Sequence, residues 1–181
     1  MFERFTAAAK HAVTRAAREA ERMSAPEVTP EHLTLALLAN AATSTGLLLA
    51  EHGVTRDDIT SAYAQARRRG GLTDTEATAL RGLGIDVVDS VDSVEGAHGS
   101  GALSARPRRR RLLGRNHIPF GTEAKKALER TLREAMDLGD RQLSDAHLLL
   151  ALLNSPTPTA DALARCDLTY TAVRTRLNRA A

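Results

Sequence analysis

The side chains of this chain best suited to metal or nucleophilic chemistry are two histidines and one cysteine. His32 and His147 each stand at the start of a leucine-rich run, and neither has a second ligand at a spacing that would close a metal site. A hydrogen-bonded structural imidazole is the expectation for both, and no metal site is assigned. Cys166 is the single cysteine, so an intramolecular disulfide and a cysteine metal cluster are excluded. With no histidine near it in sequence, it reads as a small packed residue. The remaining acids and histidines supply no paired nucleophile and base. No Gly-x-x-x-x-Gly-Lys-Ser/Thr loop is present to cradle a phosphate chain, and no acidic strand to hold Mg²⁺ is evident. Neither an enzyme nor a cofactor is therefore expected.

Charge offers a second kind of chemistry. The net charge is +3, but Arg106, Arg108, Arg109, Arg110, Arg111 and Arg115 put +6 into one acid-free segment, so the rest of the chain carries −3. Such a run could hold nucleic acid or an acidic partner electrostatically. It lacks interleaved aromatics for base stacking. A solvated linker is the favoured reading, and a small nucleic-acid-associated regulator is the alternative.

The elements that must position these groups occur twice. A constant shift of 115 residues superposes Phe5 on Phe120, Lys10 on Lys125 and Arg18-Glu19-Ala20 on Arg133-Glu134-Ala135. The same shift lays His32-Leu33 on His147-Leu148, and Leu35-Ala36-Leu37-Leu38 on Leu150-Ala151-Leu152-Leu153. One register held over that distance means an internal duplication. Aromatics make up only 3% of the 181 residues, so alanine and leucine fill the core, which suits close-packed helices.

Ala9, Ala12, Val13, Ala16, Ala17 and Ala20 form one apolar face at helical period, with Arg15, Arg18, Glu19 and Arg22 mostly on the wet side. Thr29-Pro30-Glu31 supplies a capping hydroxyl, a proline at the first helical position and an acid at the positive end of the helix. The run from 33 to 39 is apolar nearly all round and predicts a buried central helix. A third helix ends at Gly53, a left-handed C-terminal position. A fourth follows Thr55, with Ile59, Ala62, Tyr63 and Ala66 inward. Ala124, Ala127, Leu128, Thr131, Leu132 and Ala135 repeat the first inner face, and Ser144 replaces Thr29 as cap. Between the copies, a helix after Thr73 and a turn at Gly84 leading to Val88, Val91 and Val94 read as a partial third copy. The expected organisation is a first repeat over 1–70, a helical insertion over 71–95, a flexible Arg/Gly-rich linker over 96–116 and a second repeat over 117–181. The fold class is all-α: two tandem four-helix repeats related by a pseudo-twofold.

These residues resemble the N-terminal domain of the Clp unfoldases, most closely the ClpC type. The resemblance is carried by Met1-Phe2-Glu3-Arg4-Phe5-Thr6, by Glu31-His32-Leu33 before the leucine helix, and by His117-Ile118-Pro119-Phe120 with Ala124-Lys125-Lys126. The insertion departs from the short linker usual in that family. The resemblance implies a non-enzymatic binding module without its ATPase modules, acting as a decoy for Clp proteolysis or as an accessory to it. Its implied partners are peptides, adaptor or client proteins, the unfoldase itself, or cyclic peptide antibiotics. The groove positions it implies are Phe2, Lys10, Phe120, Lys125 and Glu129: rigid aromatic anchors with polar side chains at the rim. It further implies a phosphoarginine site at Glu31. In the second repeat Ala146 stands at the matching place, so that site is expected to be lost. The start of the chain has charges where a signal peptide needs an apolar run, and the longest apolar run is too short to cross a membrane, so a cytoplasmic location is the expectation.

Overall fold

Short-range caps set the helix boundaries. Thr6 Oγ1 accepts from the Ala9 N–H at 3.2 Å, Thr43 Oγ1 from Gly46 at 3.1 Å, and Thr55 Oγ1 from Asp58 at 3.2 Å. Each satisfies a donor that the first helical turn leaves unpaired. The computed structural model describes residues 3–98 and 118–180. The first repeat consists of α1 (Ala7–Arg22), α2 (Pro30–Leu38), α3 (Ser44–Glu51) and α4 (Arg56–Arg68). The insertion supplies α5 (Asp74–Gly82) and α6 (Val87–His98). The second repeat follows with α7 (Thr122–Asp137), α8 (Asp145–Leu153), α9 (Pro158–Arg165) and α10 (Tyr170–Ala180). Phe2, His117 and the arginine run at 106–115 lie outside the described residues.

The two central helices use their histidines as caps. The Thr29 N–H donates to His32 Nδ1 at 2.9 Å, and the Ser144 N–H to His147 Nδ1 at 3.0 Å. An imidazole thus stands where a capping box usually has Glu or Gln. With Nδ1 accepting, the other ring nitrogen carries the proton. His147 Nε2 finds Asp140 Oδ2 at 3.0 Å, whereas buried His32 Nε2 has no partner. The position matching Asp140 in the first repeat is Ala25.

A reciprocal exchange of short extended segments joins the repeats. The Thr6 N–H donates to the Leu143 carbonyl at 2.9 Å, and the Leu143 N–H to the Arg4 carbonyl at 2.8 Å. At the equivalent places, the Gly121 N–H donates to the Val28 carbonyl at 2.9 Å, and the Val28 N–H to the Pro119 carbonyl at 2.8 Å. Each repeat therefore ties its leading segment to the approach of the other repeat's central helix. Four such bonds contribute about 0.5–1.5 kcal/mol each. Burial of apolar side chains contributes more. One hydrophobic core contains α2 and α8 together, with Leu33, Leu35, Leu37, Leu148, Leu149, Leu150 and Leu152 all at most 1% exposed.

A buried hydroxyl chain crosses the same junction. Tyr63 Oη lies 2.9 Å from Thr159 Oγ1, which lies 3.0 Å from Thr34 Oγ1, and Thr34 donates to the Pro30 carbonyl at 2.9 Å. This satisfies three polar groups that would otherwise be costly to bury. Burial pushes the Tyr63 phenol above its ordinary range, so it stays a neutral donor.

The insertion carries its own small core of Ala77, Val87 and Val91, flanked by Leu72 and Leu80. Its turn repeats that of the first repeat. Gly84 has φ +81° with the Ile85 N–H on Leu80 O at 3.0 Å, as Gly53 has φ +66° with the Val54 N–H on Leu49 O at 3.0 Å. Three features differ from the sequence expectation. Helix α6 continues through His98, past the anticipated start of the linker. Its inner face is Val87 and Val91, while Val88 and Val94 are exposed. On α7, Leu132 is 39% exposed rather than inward, because the stripe that packs is carried by Ala124, Ala127, Thr131 and Ala135.

Candidate functional site: a cleft at the junction of the repeats

A cleft of about 660 Å³ opens where both repeats and the insertion meet. Four helices point their N-terminal ends at it: α2 through Thr29 and Pro30, α5 through Thr73, α7 through Gly121, and α9 through Thr157 and Pro158. Each end brings a partial positive charge, although Pro30 and Pro158 carry no N–H and the Asp74, Glu76 and Ala160 N–H groups already have acceptors. The lining answers with Glu27, Glu31, Glu76 and Glu123, against Arg67 as the one cation among the described residues that line it. Tyr63 and Ala66 of α4 complete the wall beside Arg67.

Glu31 is the buried member of this set, at 3% exposure. Its Oε2 accepts from Arg67 Nη1 at 3.0 Å, while Oε1 is buried without a partner. Burial pushes its carboxyl above the ordinary value of 4.5, and the nearby Arg67 and Arg56 only partly offset this. The unfolded chain therefore ionises first. Stability from the protonated form is complete below pH 4.5 and is lost as pH rises through the higher folded value. Glu31→Gln is accordingly expected to be more stable than the parent at pH 7, with the gap closing below pH 4.5. Urea titrations at both pH values read this directly; a variant less stable at pH 7 would show that the ion pair outweighs the desolvation. Arg67 is 54% exposed, so leaving it unpaired costs little.

Glu27 shows how the cleft wall is built. Helix α7 has Gly121 as its N-cap, with no hydroxyl to offer. The Glu27 carboxylate fills the space a Cβ at Gly121 would need, at 2.6–2.8 Å from that position. A carboxylate there suits the positive end of the helix. Insertion helix α5 is fastened to α9 by Asp161, whose carboxylate accepts from the Asp74 N–H at 2.7 Å and from Thr75 Oγ1 at 3.0 Å. Asp74 in turn pairs with Arg165 at 2.5 Å and with Arg69.

Of the residues expected from sequence, Glu31 lines the cleft. Phe120 is half-buried against the shared core, directly before Gly121 in the wall. Lys10 and Lys125 occupy matching places in the first turns of α1 and α7 and are exposed, as is Glu129. None of these three lines the cleft. Ala146 is buried at the start of α8, and its neighbour Asp145 has one buried carboxylate oxygen without a partner. The sequence alone assigned no site role to Arg67, Glu27, Glu76 or Glu123. The signal available for the three acids was their position within the first turn of a capped helix, or just before one. Cys166 is half-buried, and burial pushes its thiol up, away from a reactive thiolate. Its carbonyl lies 2.9 Å from His52 Nδ1. No group of three or more metal-ligating side chains occurs among the described residues.

The family model described as Clp repeat (R) N-terminal domain matches residues 4–79, 72–165 and 119–181, which together cover nearly the whole chain. The chain belongs to the Clp repeat N-terminal domain family. The middle Clp-N match takes in the insertion, in line with the turn it shares with the first repeat. Solved Clp-N structures have the same fold. The N-terminal domain of the caseinolytic-protease-associated chaperone ClpD from Arabidopsis thaliana gives a TM-score of 0.54 at 19% identity, covering 98% of this chain and 96% of that one. The Hsp104 N-terminal domain from Candida albicans gives 0.54 at 15% identity, covering 96% and 88%. Among curated proteins, uncharacterised proteins of Mycobacterium tuberculosis and Mycobacterium bovis are 28% identical over 152 residues. That stretch is 84% of this Clp-N chain and 44% of their length. Among the described residues no helix is long and apolar enough to cross a membrane.

Proposed function

We propose that this Clp-N chain is a non-enzymatic module that captures segments of client or adaptor proteins of a Clp unfoldase, as a decoy or as an accessory that hands clients on. The observation that carries the reading is Glu31: a carboxylate buried at the floor of a cleft shared by both repeats, with one oxygen unpartnered. A buried, unpartnered acceptor in a wall that four helix N-termini share suits a ligand that brings a cationic donor and an anion together. A phosphoarginine side chain is such a ligand. Its guanidinium would meet Glu31, and its phosphate would meet Arg67 and the helix-end amides. Phe120, Lys10, Lys125 and Glu129, with Phe2, supply the apolar and polar contacts proposed for the rest of a peptide or for a cyclic peptide antibiotic.

Calorimetry with a phosphoarginine peptide, its arginine counterpart and a ClpC-directed cyclic peptide tests this. The phosphoarginine peptide is expected to bind, and Glu31→Gln to weaken it about tenfold, the loss of one charge-assisted hydrogen bond. Phe120→Ala and Lys125→Ala should weaken the cyclic peptide and leave the phosphoarginine contact largely intact. No heat with any of the three at high micromolar concentration would remove the basis of the reading.

A further inference from the structure

The exposed side of α1 is a second charged feature, and it shares no lining residue with the cleft. His11, Arg15, Arg18 and Arg22 are spaced four, three and four residues apart, which aligns them along one face of the helix. They line a small cleft of about 100 Å³ together with Glu19. Glu19 is not on the wet side as its helical position suggests: it is 1% exposed. Arg22 Nη1 reaches its Oε1 at 3.2 Å, Arg56 Nη1 of α4 reaches its Oε2 at 3.0 Å, and Arg15 Nε stands at 4.0 Å. Arg18 has no ion-pair or hydrogen-bond partner among the described residues.

The matching corner of the second repeat has diverged. Glu134 is buried as well, but its carboxylate accepts from two neutral donors, Tyr170 Oη at 2.9 Å and Asn154 Nδ2 at 3.0 Å, with one cation, Arg174 Nη1, at 4.0 Å. Arg130, the counterpart of Arg15, bonds the Ser155 hydroxyl instead. Tyr170 opens α10 as Arg56 opens α4. The same buried acid thus has two neutral donors and one arginine beside it in one repeat, and in the other three arginines, with Arg18 of the same helix face to spare. Guanidinium groups held in place by one buried carboxylate keep N–H donors to spare, and their charge exceeds what Glu19 neutralises.

We propose that this corner of α1 and α4 is a phosphate site, taking the doubly charged terminal phosphate of a phosphomonoester. The cleft holds about three water volumes, enough for one tetrahedral oxyanion. Arg18 supplies the unengaged fork and Arg15 and Arg22 its flanks. A carboxylate would leave positive charge unmatched, whereas a dianion suits the surplus of three.

The test is an NMR titration of the arginine side-chain Nε–Hε signals with inorganic phosphate at pH 7, against chloride at equal ionic strength. Saturable shifts at Arg15, Arg18 and Arg22 are expected, with a midpoint of about 1 mM or lower. Arg18→Ala removes no hydrogen bond or ion pair among the described residues and should weaken binding about tenfold, with Arg18→Lys intermediate. A phosphoserine peptide and a 5′-nucleotide then identify the source, as whichever binds more tightly than inorganic phosphate; equal affinity for all three assigns the site to free phosphate. Linear shifts matched by chloride, or unchanged binding in Arg18→Ala, would overturn the assignment.

Discussion

Replacing Gly46 with alanine is expected to destabilise the fold by about 3 kcal/mol, the upper range for an overpacked site. Gly46 sits in the first turn of α3, where its N–H donates to Thr43 Oγ1. A Cβ there would stand 2.1 Å from the Asn40 carbonyl oxygen, 2.7 Å from its carbon and 3.0 Å from Ala41 Cα. All three are backbone atoms, so no flexible side chain can swing aside. Alanine is the better helix former by roughly 1 kcal/mol, and that gain is smaller than the clash. The urea midpoint measures the outcome, and an unchanged midpoint would mean that the loop before α3 yields at little cost.

Acid should weaken the fold through His32. Burial holds its imidazole down to about 4, with Arg67 and Arg56 adding to the effect and Glu19 opposing it. The folded value lies below the ordinary 6.5, so the neutral ring contributes stability that is complete above 6.5 and is lost as pH falls through 4. The difference corresponds to about 3 kcal/mol between pH 7 and the acid limit. His32→Gln keeps an acceptor for the Thr29 N–H, as the usual capping box does, and does not titrate. Its stability should therefore fall less than the parent's between pH 7 and pH 4. Parallel losses in the two proteins would place the acid sensitivity elsewhere, in the carboxylates.

These two sites show different relations to the sequence. The role of His32 at a helix start was legible, because a cap and its partner lie three residues apart and repeat at Ser144 and His147. That its outer nitrogen is left without a partner was not, since this depends on Ala25 standing where the second repeat has Asp140. Gly46 carried no signal at all in a loop-to-helix boundary; only the approach of Asn40 makes it necessary. In the cleft, Glu31 was marked by its place after Thr29-Pro30 and by resemblance. Its companions Arg67, Glu76 and Glu123 looked like ordinary helix-end charges, and each is one in its own helix. Glu19 misled, because its helical angle faces outward until α4 brings Arg56 against it. Phe2 and the arginine run stand outside the described residues, and the roles of Lys10, Lys125 and Glu129 rest on the proposed binding function.

By itself, the sequence determined the helices, their caps, the duplication and the leucine cores, since all of these arise from spacings of a few residues or from one repeated register. Tertiary structure decided how the two halves join, which carboxylates are buried, and that four helix starts face one cleft. The reason is physical: the joining bonds run between backbone groups, which every residue carries alike. Burial, likewise, belongs to whichever distant helix arrives, not to the residue it covers.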